Sequence, residues 1–315
     1  MDFAILANNW LKTADASPPI TQWFQGDIHY HINTSPDDGN ADLPTMTLYL
    51  RDTGGHDFTC VAGHDYIFDA NAYTTSTFLG VNGVEASNNG PHVVGFGMNS
   101  LGSFNPGSGL QGHIDSIIAG GGLPMVAHPH WSQDYQEYDM PTLMSNMTNC
   151  NLISVFNYYC EITGSWKMGN SESYWDELLT NGKVIYGYAE SDSHGTGKIG
   201  YTFNMTGASE LTLDAFKTAL QNGNSYFCYT KVKWASGITI TCYRIGGTEA
   251  GDTINITTNG GETIQFIGAN GSVLQTTSDN EARYTITGTE QYVRTKITNA
   301  AGDITWTQPV FVTSN

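Results

Sequence analysis

Two histidines, His29 and His31, stand at alternate positions in the apolar run Gly26-Asp27-Ile28-His29-Tyr30-His31. Alternate residues of a strand point to one face, so this run predicts two imidazoles facing the same way. Neutral imidazoles brought together are typical ligands of transition metals. Two ordinary surface or core histidines would give the same pattern, so the pair predicts a metal site only if other strands supply partners.

Further side chains with ligand chemistry recur where apolar, strand-like runs end. Glu85 follows one such run, His128 follows another, and Asp192 follows a third. Singly, each has a bland interpretation, such as Asp38 forming a turn beside Gly39. Taken together they predict a site for more than one metal, with Glu85 able to bridge two ions. The candidate ligands are His29, His31, Asp38, His64, Glu85, His92, His128, Asp192 and His194.

Apolar strands joined by short helices must position these side chains. The pattern predicts helices near 44–50, 113–119, 140–147, 174–179 and 213–220, and strands that include 123–127, 152–158, 183–189 and 225–229. This alternation is typical of an α/β barrel or sheet, whose functional residues lie where strands end. From about Trp234, alternating runs between Gly and Asn turns predict an all-β unit, most simply a small sandwich.

Composition limits the class of protein. The 315 residues hold 12 Lys+Arg against 30 Asp+Glu, a net charge of −18, so we expect no nucleic-acid groove, which needs a basic footprint. No run approaches the ~18 apolar residues of a membrane span, so no membrane partner is expected. The N-terminus shows no secretory signal, which favours the cytoplasm by default, while the composition also fits a virion-borne or extracellular protein. The five scattered cysteines are interpreted as reduced thiols.

Several stretches resemble the motifs of the PHP (polymerase and histidinol phosphatase) superfamily. Residues 27–39 resemble its opening DxHxHT…SDG motif, 58–65 its TDH strand, 126–129 its apolar-HP strand, 155–157 its EVxN strand and 191–194 its SDxH strand. Within the superfamily the chain is most similar to the CehA/McbA type. That likeness depends on Glu85 followed seven residues later by His92, and on the closing phrase Trp306-Thr307-Gln308-Pro309.

The resemblance implies an α/β protein with a distorted (β/α)7-like PHP barrel at 26–233. A lead-in at 1–25 would precede it, and a small all-β, sandwich-like domain at 234–315 would follow. It also implies two or three divalent metal ions, namely Mn, Fe or Zn. One ion would take His29, His31, Glu85 and Asp192, a second would share Glu85 with His92 and His128, and a third would take Asp38, His64 and His194.

The chain departs from the family pattern at Gly63, where an aspartate is usual, and this predicts a weaker third metal. Asp37, Asp65 and His130 are extra polar groups near the motifs. We interpret them first as surface decoration of the site mouth, and second as compensation for the missing acid.

The motifs predict a metal-dependent phosphoesterase in which a metal-bridging hydroxide attacks a small-molecule or glycan-linked phosphate ester. His194 and His130 are the candidate general acids for the leaving group. Two alternatives stay open. One is carboxyl or carbamate ester hydrolysis at the same site, and the other is a non-catalytic, metal-stabilised binding or structural module. The substrate, the physiological metal and the oligomeric state are beyond the sequence.

Overall fold

The computed structural model describes residues 22–164 and 166–313. Their strands are β1 Gln22–Tyr30, β2 Phe58–Val61, β3 Tyr66–Ile67, β4 Leu79–Ala86, β5 Val93–Phe96, β6 Gly102–Ser103, β7 Leu123–Val126, β8 Leu152–Asn157, β9 Tyr186–Glu190, β10 Thr202–Ala208, β11 Ser225–Tyr229, β12 Thr239–Ile245, β13 Thr253–Asn259, β14 Thr263–Gly268, β15 Ser272–Thr277, β16 Glu281–Thr285, β17 Tyr292–Thr298, β18 Ile304–Thr307 and β19 Val310–Phe311. Residues 1–21 of the predicted lead-in lie outside the described residues, and its last four residues, 22–25, belong to β1.

The α-helices are α1 Leu43–Asp52, α2 Gly109–Ala119, α3 Pro129–Asp134, α4 Met140–Asn146, α5 Glu172–Thr180 and α6 Leu213–Gln221. All except α3 confirm helices expected from apolar spacing, although α2 begins earlier than expected. At α1 the expected start has a clear cause, since Asp42 accepts a hydrogen bond from Thr45 N and Pro44 stands in the first turn. None of the described helices is long and apolar enough to cross a membrane.

The first part of the chain forms a run of seven strands. β1, β2 and β4 pair in parallel, β5 is antiparallel to both β4 and β7, and β7, β8 and β9 pair in parallel. Asp192 N donates to His29 O and His31 N donates to Ser193 O, each at 2.9 Å. The end of β1 thus meets the segment after β9, beside the histidine pair. The fold is mixed α/β with a large sheet, and a closed (β/α)7-like barrel stays our interpretation of it.

The large sheet continues into the C-terminal part. β10 pairs with β1 and then, through β11, with β18, β17, β14 and β15 in that order. A separate three-stranded sheet, β12-β13-β16, packs on this extension, where Ile240 and Ile256 share a core with Phe266 and Ile297. Two sheets therefore face each other after residue 234, but one of them is shared with the first part. The boundary at 234 stays a proposal.

A buried ion pair joins the two parts. Arg294 on β17 donates from Nε and Nη2 to the two carboxylate oxygens of Asp176 on α5, both at 2.7 Å, and Tyr292 Oη donates to Asp176 Oδ1 at 2.7 Å. Arg294 is 1 % exposed, so the pair is shielded from water. Breaking a buried pair leaves an uncompensated charge, which is strongly destabilising.

We expect Arg294→Met to lower the free energy of unfolding by about 3 kcal/mol, measured by urea denaturation. The matched control is Arg283→Met, which replaces an exposed arginine on β16 and should change stability by no more than about 0.5 kcal/mol. Equal effects of the two substitutions would contradict the role of the pair.

Candidate metal centre

The nine candidate ligands lie together at the ends of the strands. Eight of them form three overlapping groups whose ligand atoms lie within 4.8 Å of one another: His29, His31 and Glu85; Glu85, His92 and His128; and His31, Asp38, His64 and His194. The ninth, Asp192, has its Oδ1 atom 3.1 Å from His31 Nε2 and 3.6 Å from His29 Nε2. These sets resemble those that the family resemblance implies, with His31 also adjoining the third group, and their role as metal ligands stays a prediction.

Glu85 connects two of these groups. Its Oε1 atom lies 2.8 Å from His92 Nδ1 and 3.0 Å from His128 Nε2. Its Oε2 atom lies 3.6 Å from His29 Nε2 and 3.5 Å from His31 Nε2. Burial alone would raise the pKa of this carboxyl, but the surrounding histidines hold it well below its usual range. An ionised carboxylate with one oxygen towards each histidine set has the geometry of a bridging ligand.

Two further carboxylates orient the histidine pair. His29 donates from Nδ1 to Glu190 Oε2 and His31 donates from Nδ1 to Asp37 Oδ1, both at 2.8 Å. Each bond fixes the tautomer and turns Nε2 towards the centre, as carboxylates commonly do behind metal-binding histidines. Asp37 and Glu190 are therefore buried parts of the site. The interpretation of Asp37 as surface decoration is wrong.

The atoms that meet at the centre need positive charge between them. His29 Nε2 and His31 Nε2 lie 3.1 Å apart, and Glu85 Oε2 and Asp192 Oδ1 lie beside them. With both Nδ1 protons engaged, neutral rings would present only lone pairs to one another. Burial acts to lower the pKa of His31, but hydrogen bonds to Asp192 and Asp37 and nearby carboxylates raise it to about 10. The site thus favours protons or metal cations at its centre.

Asp192 reaches this centre from an unusual backbone conformation. Its φ of 48° lies in the left-handed region, which is uncommon for residues other than glycine. Asn157, at the end of β8, donates from Nδ2 to Asp192 Oδ2 at 3.1 Å and to Glu190 Oε1 at 2.9 Å. Asn157 thereby fixes one ligand candidate and one orienting acid together.

The third group is more open to solvent. Asp38 has an exposed side chain, and its Oδ1 atom lies 3.2 Å from His194 Nε2 and 3.8 Å from His64 Nε2. His194 donates from Nδ1 to the backbone oxygen of Asp192 at 3.0 Å, which leaves Nε2 directed at Asp38. His64 Nδ1 lies 3.1 Å from Ser87 Oγ, whose hydroxyl donates to Asp65 Oδ2 at 3.1 Å.

The structure gives a physical reason for Gly63. A Cβ atom at this position would collide with the Phe68 ring and would lie 3.2 Å from Asp37 Oδ2. Asp37 occupies this region instead and accepts from Ile32 N at 2.7 Å and His64 N at 3.3 Å. Gly39 permits the return of the chain, because a Cβ there would lie 2.6 Å from Ile32 N.

His130 does not join the cluster. It lies on α3 with Nδ1 2.9 Å from Asn170 O and Nε2 3.1 Å from Asp134 Oδ2. It is also not among the described residues that line the central cavity. This position does not support the expected role of His130 as a general acid. Successive side chains of a helix point about 100° apart. On α3 it is Trp131, and not its neighbour His130, that lines the cavity.

The cavity over the cluster has a volume of about 250 Å³. Besides candidate ligands, it is lined by Trp131, Tyr159, Cys160 and Trp166. Sequence reasoning missed these four residues and Glu190. Glu190 had a usable signal, since an acid closes the apolar strand β9 directly before Ser191 and Asp192. The aromatic residues lie on α3 and in the segment after β8, where spacing gives no comparable signal.

The residues present fit divalent metal ions. Imidazole nitrogens and carboxylate oxygens suit Mn, Fe and Zn. Glu85 is buried with its Oε2 atom 3.0 Å from His64 Nδ1, and the buried His128 Nδ1 atom has no hydrogen-bond partner among the described residues. A cation between the ligand groups would compensate the charge of the Glu85 carboxylate, because a buried charge is otherwise costly.

Comparison with known proteins identifies the fold. No family model and no curated protein matches the chain. Among solved structures, a two-domain protein from Bacteroides vulgatus ATCC 8482 that contains a predicted PHP-like metal-dependent phosphoesterase matches 92 % of this chain and 95 % of its own, with a TM-score of 0.50 and 15 % identity. This likeness confirms a PHP-like fold. The CehA/McbA subtype stays a proposal.

Two other solved structures are more distantly similar. PsfC from Pseudomonas syringae PB-5123 matches 66 % of this chain and 92 % of its own, with a TM-score of 0.46 and 15 % identity. The lesion-specific endonuclease PfuEndoQ from Pyrococcus furiosus matches 65 % and 57 %, with a TM-score of 0.43 and 12 % identity. The expected lack of a nucleic-acid groove stays a prediction.

Proposed function

We propose that this chain is a metal-dependent hydrolase of ester bonds, most simply a phosphoesterase. The position of Glu85 supports this proposal most strongly, because its two oxygens face separate histidine sets. One Mn, Fe or Zn ion would be held by His29, His31, Glu85 and Asp192. A second would be held by Glu85, His92 and His128, and a third by Asp38, His64 and His194. Bound ions of this kind supply an activated water and stabilise negative charge on ester oxygens.

The chain's own residues would prepare the site for this reaction. Glu190 and Asp37 hold the rings of His29 and His31, so that little reorganisation is needed when a ligand binds. His194 is our candidate for the general acid where the third ion is absent. Its Nε2 atom lies 3.2 Å from Asp38 and faces the cavity, from which a proton can reach a leaving-group oxygen.

Carboxyl or carbamate ester hydrolysis is a second candidate function. The described residues that line the cavity include no Lys or Arg, the side chains that commonly bind a phosphate dianion. A neutral carboxyl ester needs no Lys or Arg for its binding. Both candidates use the same ligands and differ in the atom that is attacked.

Purified without chelator, the protein should contain two or three equivalents of divalent metal by elemental analysis. With added Mn²⁺ it should hydrolyse p-nitrophenyl phosphate or bis(p-nitrophenyl) phosphate. Turnover of p-nitrophenyl acetate alone would support the second candidate, and cleavage of duplex DNA would contradict the expected lack of a nucleic-acid groove. Absence of both metal and turnover would contradict an enzyme and leave the binding or structural module.

A further inference from the structure

One wall of the cavity is built from aromatic rings. Trp166 lies between Trp131 and Tyr159, with ring centroids 6.2 and 6.4 Å away. Tyr135 stacks on Trp131 at 4.9 Å and extends the wall to the surface, where its side chain is exposed. Trp131 and Trp166 are only half-buried, so their faces are not fully used by the core.

This aromatic wall runs between two ligand groups. Trp131 lies 5.3 Å from the His92 ring and 5.0 Å from the His128 ring. At the other end, Tyr159 lies 4.5 Å from the His194 ring. A group resting on Trp166, in the middle of the wall, would therefore lie beside the reacting atoms.

The charge of the chain limits which substrates reach the cavity. The whole chain carries a net charge of −18, so polyanions are repelled at long range, whereas a substrate with one negative charge or none approaches more easily. At short range the acids Asp38, Glu85 and Asp192 would be offset by bound divalent ions, and the described lining adds no Lys or Arg to hold further negative charge.

The size of the cavity limits it further. About 250 Å³ lies just below the usual range of 300–1,000 Å³ for small-molecule sites. This space suits an ester group and a single ring. Aromatic faces bind flat rings by offset or edge-on stacking, beyond the gain from burying apolar area.

We propose that the substrate is an ester of low charge with a flat aromatic ring, which stacks on the wall formed by Trp131, Tyr159 and Trp166. This inference rests on the proposed hydrolase function and adds the substrate class. Trp166 is the residue to test, because Trp131 and Tyr159 both have ring contacts with candidate ligands. The described ring contacts of Trp166 are with Trp131, Tyr135 and Tyr159 instead.

The test compares benzyl 2,2,2-trifluoroethyl phosphate with cyclohexylmethyl 2,2,2-trifluoroethyl phosphate, and ¹⁹F NMR follows the released trifluoroethanol. Both have one negative charge, the same ring-free leaving group and one six-membered ring of similar size, which is flat only in the benzyl ester. In each reaction water adds to phosphorus, the bond to the trifluoroethanol oxygen breaks and this oxygen takes up the proton that the water loses. We expect the wild type to favour the benzyl ester by roughly 10-fold in kcat/KM.

Trp166→Leu should reduce this preference to about 1, whereas Trp166→Phe should keep most of it because a flat ring remains. Trp234→Leu is the matched control, since Trp234 is another half-buried tryptophan and packs between Tyr49 and His56 away from the cavity. Saturation-transfer NMR with benzyl methylphosphonate measures binding without turnover. It should show the same order among the wild type, Trp166→Phe and Trp166→Leu.

The outcomes separate the two proposals. Equal turnover of both esters by the wild type would overturn the aromatic preference while supporting the hydrolase. A preference that persists in Trp166→Leu would overturn the role of this wall. Failure of the metal-loaded protein to hydrolyse either ester, or methyl p-nitrophenyl phosphate, would overturn the phosphoesterase instead. Preferential binding of the benzyl compound would then still support the wall.

Discussion

Glu85→Gln is expected to reduce ester hydrolysis by about 1,000-fold and to lower the metal content of the purified protein. Glutamine has nearly the same shape but is neutral, and it presents an NH₂ group to one of the two histidine sets. The loss of several kcal/mol of charge stabilisation at a shared ligand corresponds to this decrease in rate.

The grouping of ligands predicts which ions are lost. Glu85 belongs to the groups completed by His29 and His31 and by His92 and His128, but not to the group that contains Asp38. Elemental analysis should therefore show two equivalents of metal fewer than in the wild type. A loss of only one equivalent would contradict the bridging role.

Two further variants control this experiment. Glu85→Asp keeps the charge but shortens the side chain, so we expect activity between those of the wild type and Glu85→Gln. Glu281→Gln replaces an exposed glutamate on β16, far along the chain from the cluster, and should leave both metal content and rate unchanged. Thermal unfolding of each variant would show whether a loss reflects misfolding.

The ligand candidates could be predicted because they follow local rules. His29 and His31 alternate on one strand, and Glu85 and His128 lie at or just after the ends of apolar runs. Period-two alternation and the clustering of polar residues at strand ends depend only on neighbours in sequence. The same locality explains why α1, α4, α5 and α6 were expected close to their observed limits.

Other features depend on contacts between distant segments. The burial of Asp37 requires the chain after β1 to fold back, and the continuation of the large sheet requires β11 to pair with β18. The aromatic wall combines Trp131 on α3 with Trp166, which follows a turn of π-helix after β8. No periodicity in the sequence encodes contacts between such distant segments, so these features could not be predicted.

Asp37→Asn is expected to weaken metal binding by about 10- to 100-fold, the usual cost of losing a carboxylate behind a histidine ligand. Asp37 accepts hydrogen bonds at both oxygens, from His31 Nδ1 and from the backbone nitrogens of Ile32 and His64. Asparagine offers only one acceptor oxygen, so one of these donors would face an NH₂ group. His31 would then lose part of its orientation and basicity.

Titration calorimetry with Mn²⁺ on chelator-stripped protein would measure this effect. His31 would hold the first ion through Nε2 and adjoins the group of Asp38, His64 and His194, whereas the group of Glu85, His92 and His128 does not contain it. We therefore expect the largest loss of affinity at the first site and unchanged affinity at the site of Glu85, His92 and His128. Asp115→Asn, an exposed aspartate on α2, is the matched control and should bind like the wild type. Unchanged affinity at all sites in Asp37→Asn would mean that Asp37 does not replace the acid missing at Gly63, and a uniform loss at all three would indicate a general structural defect.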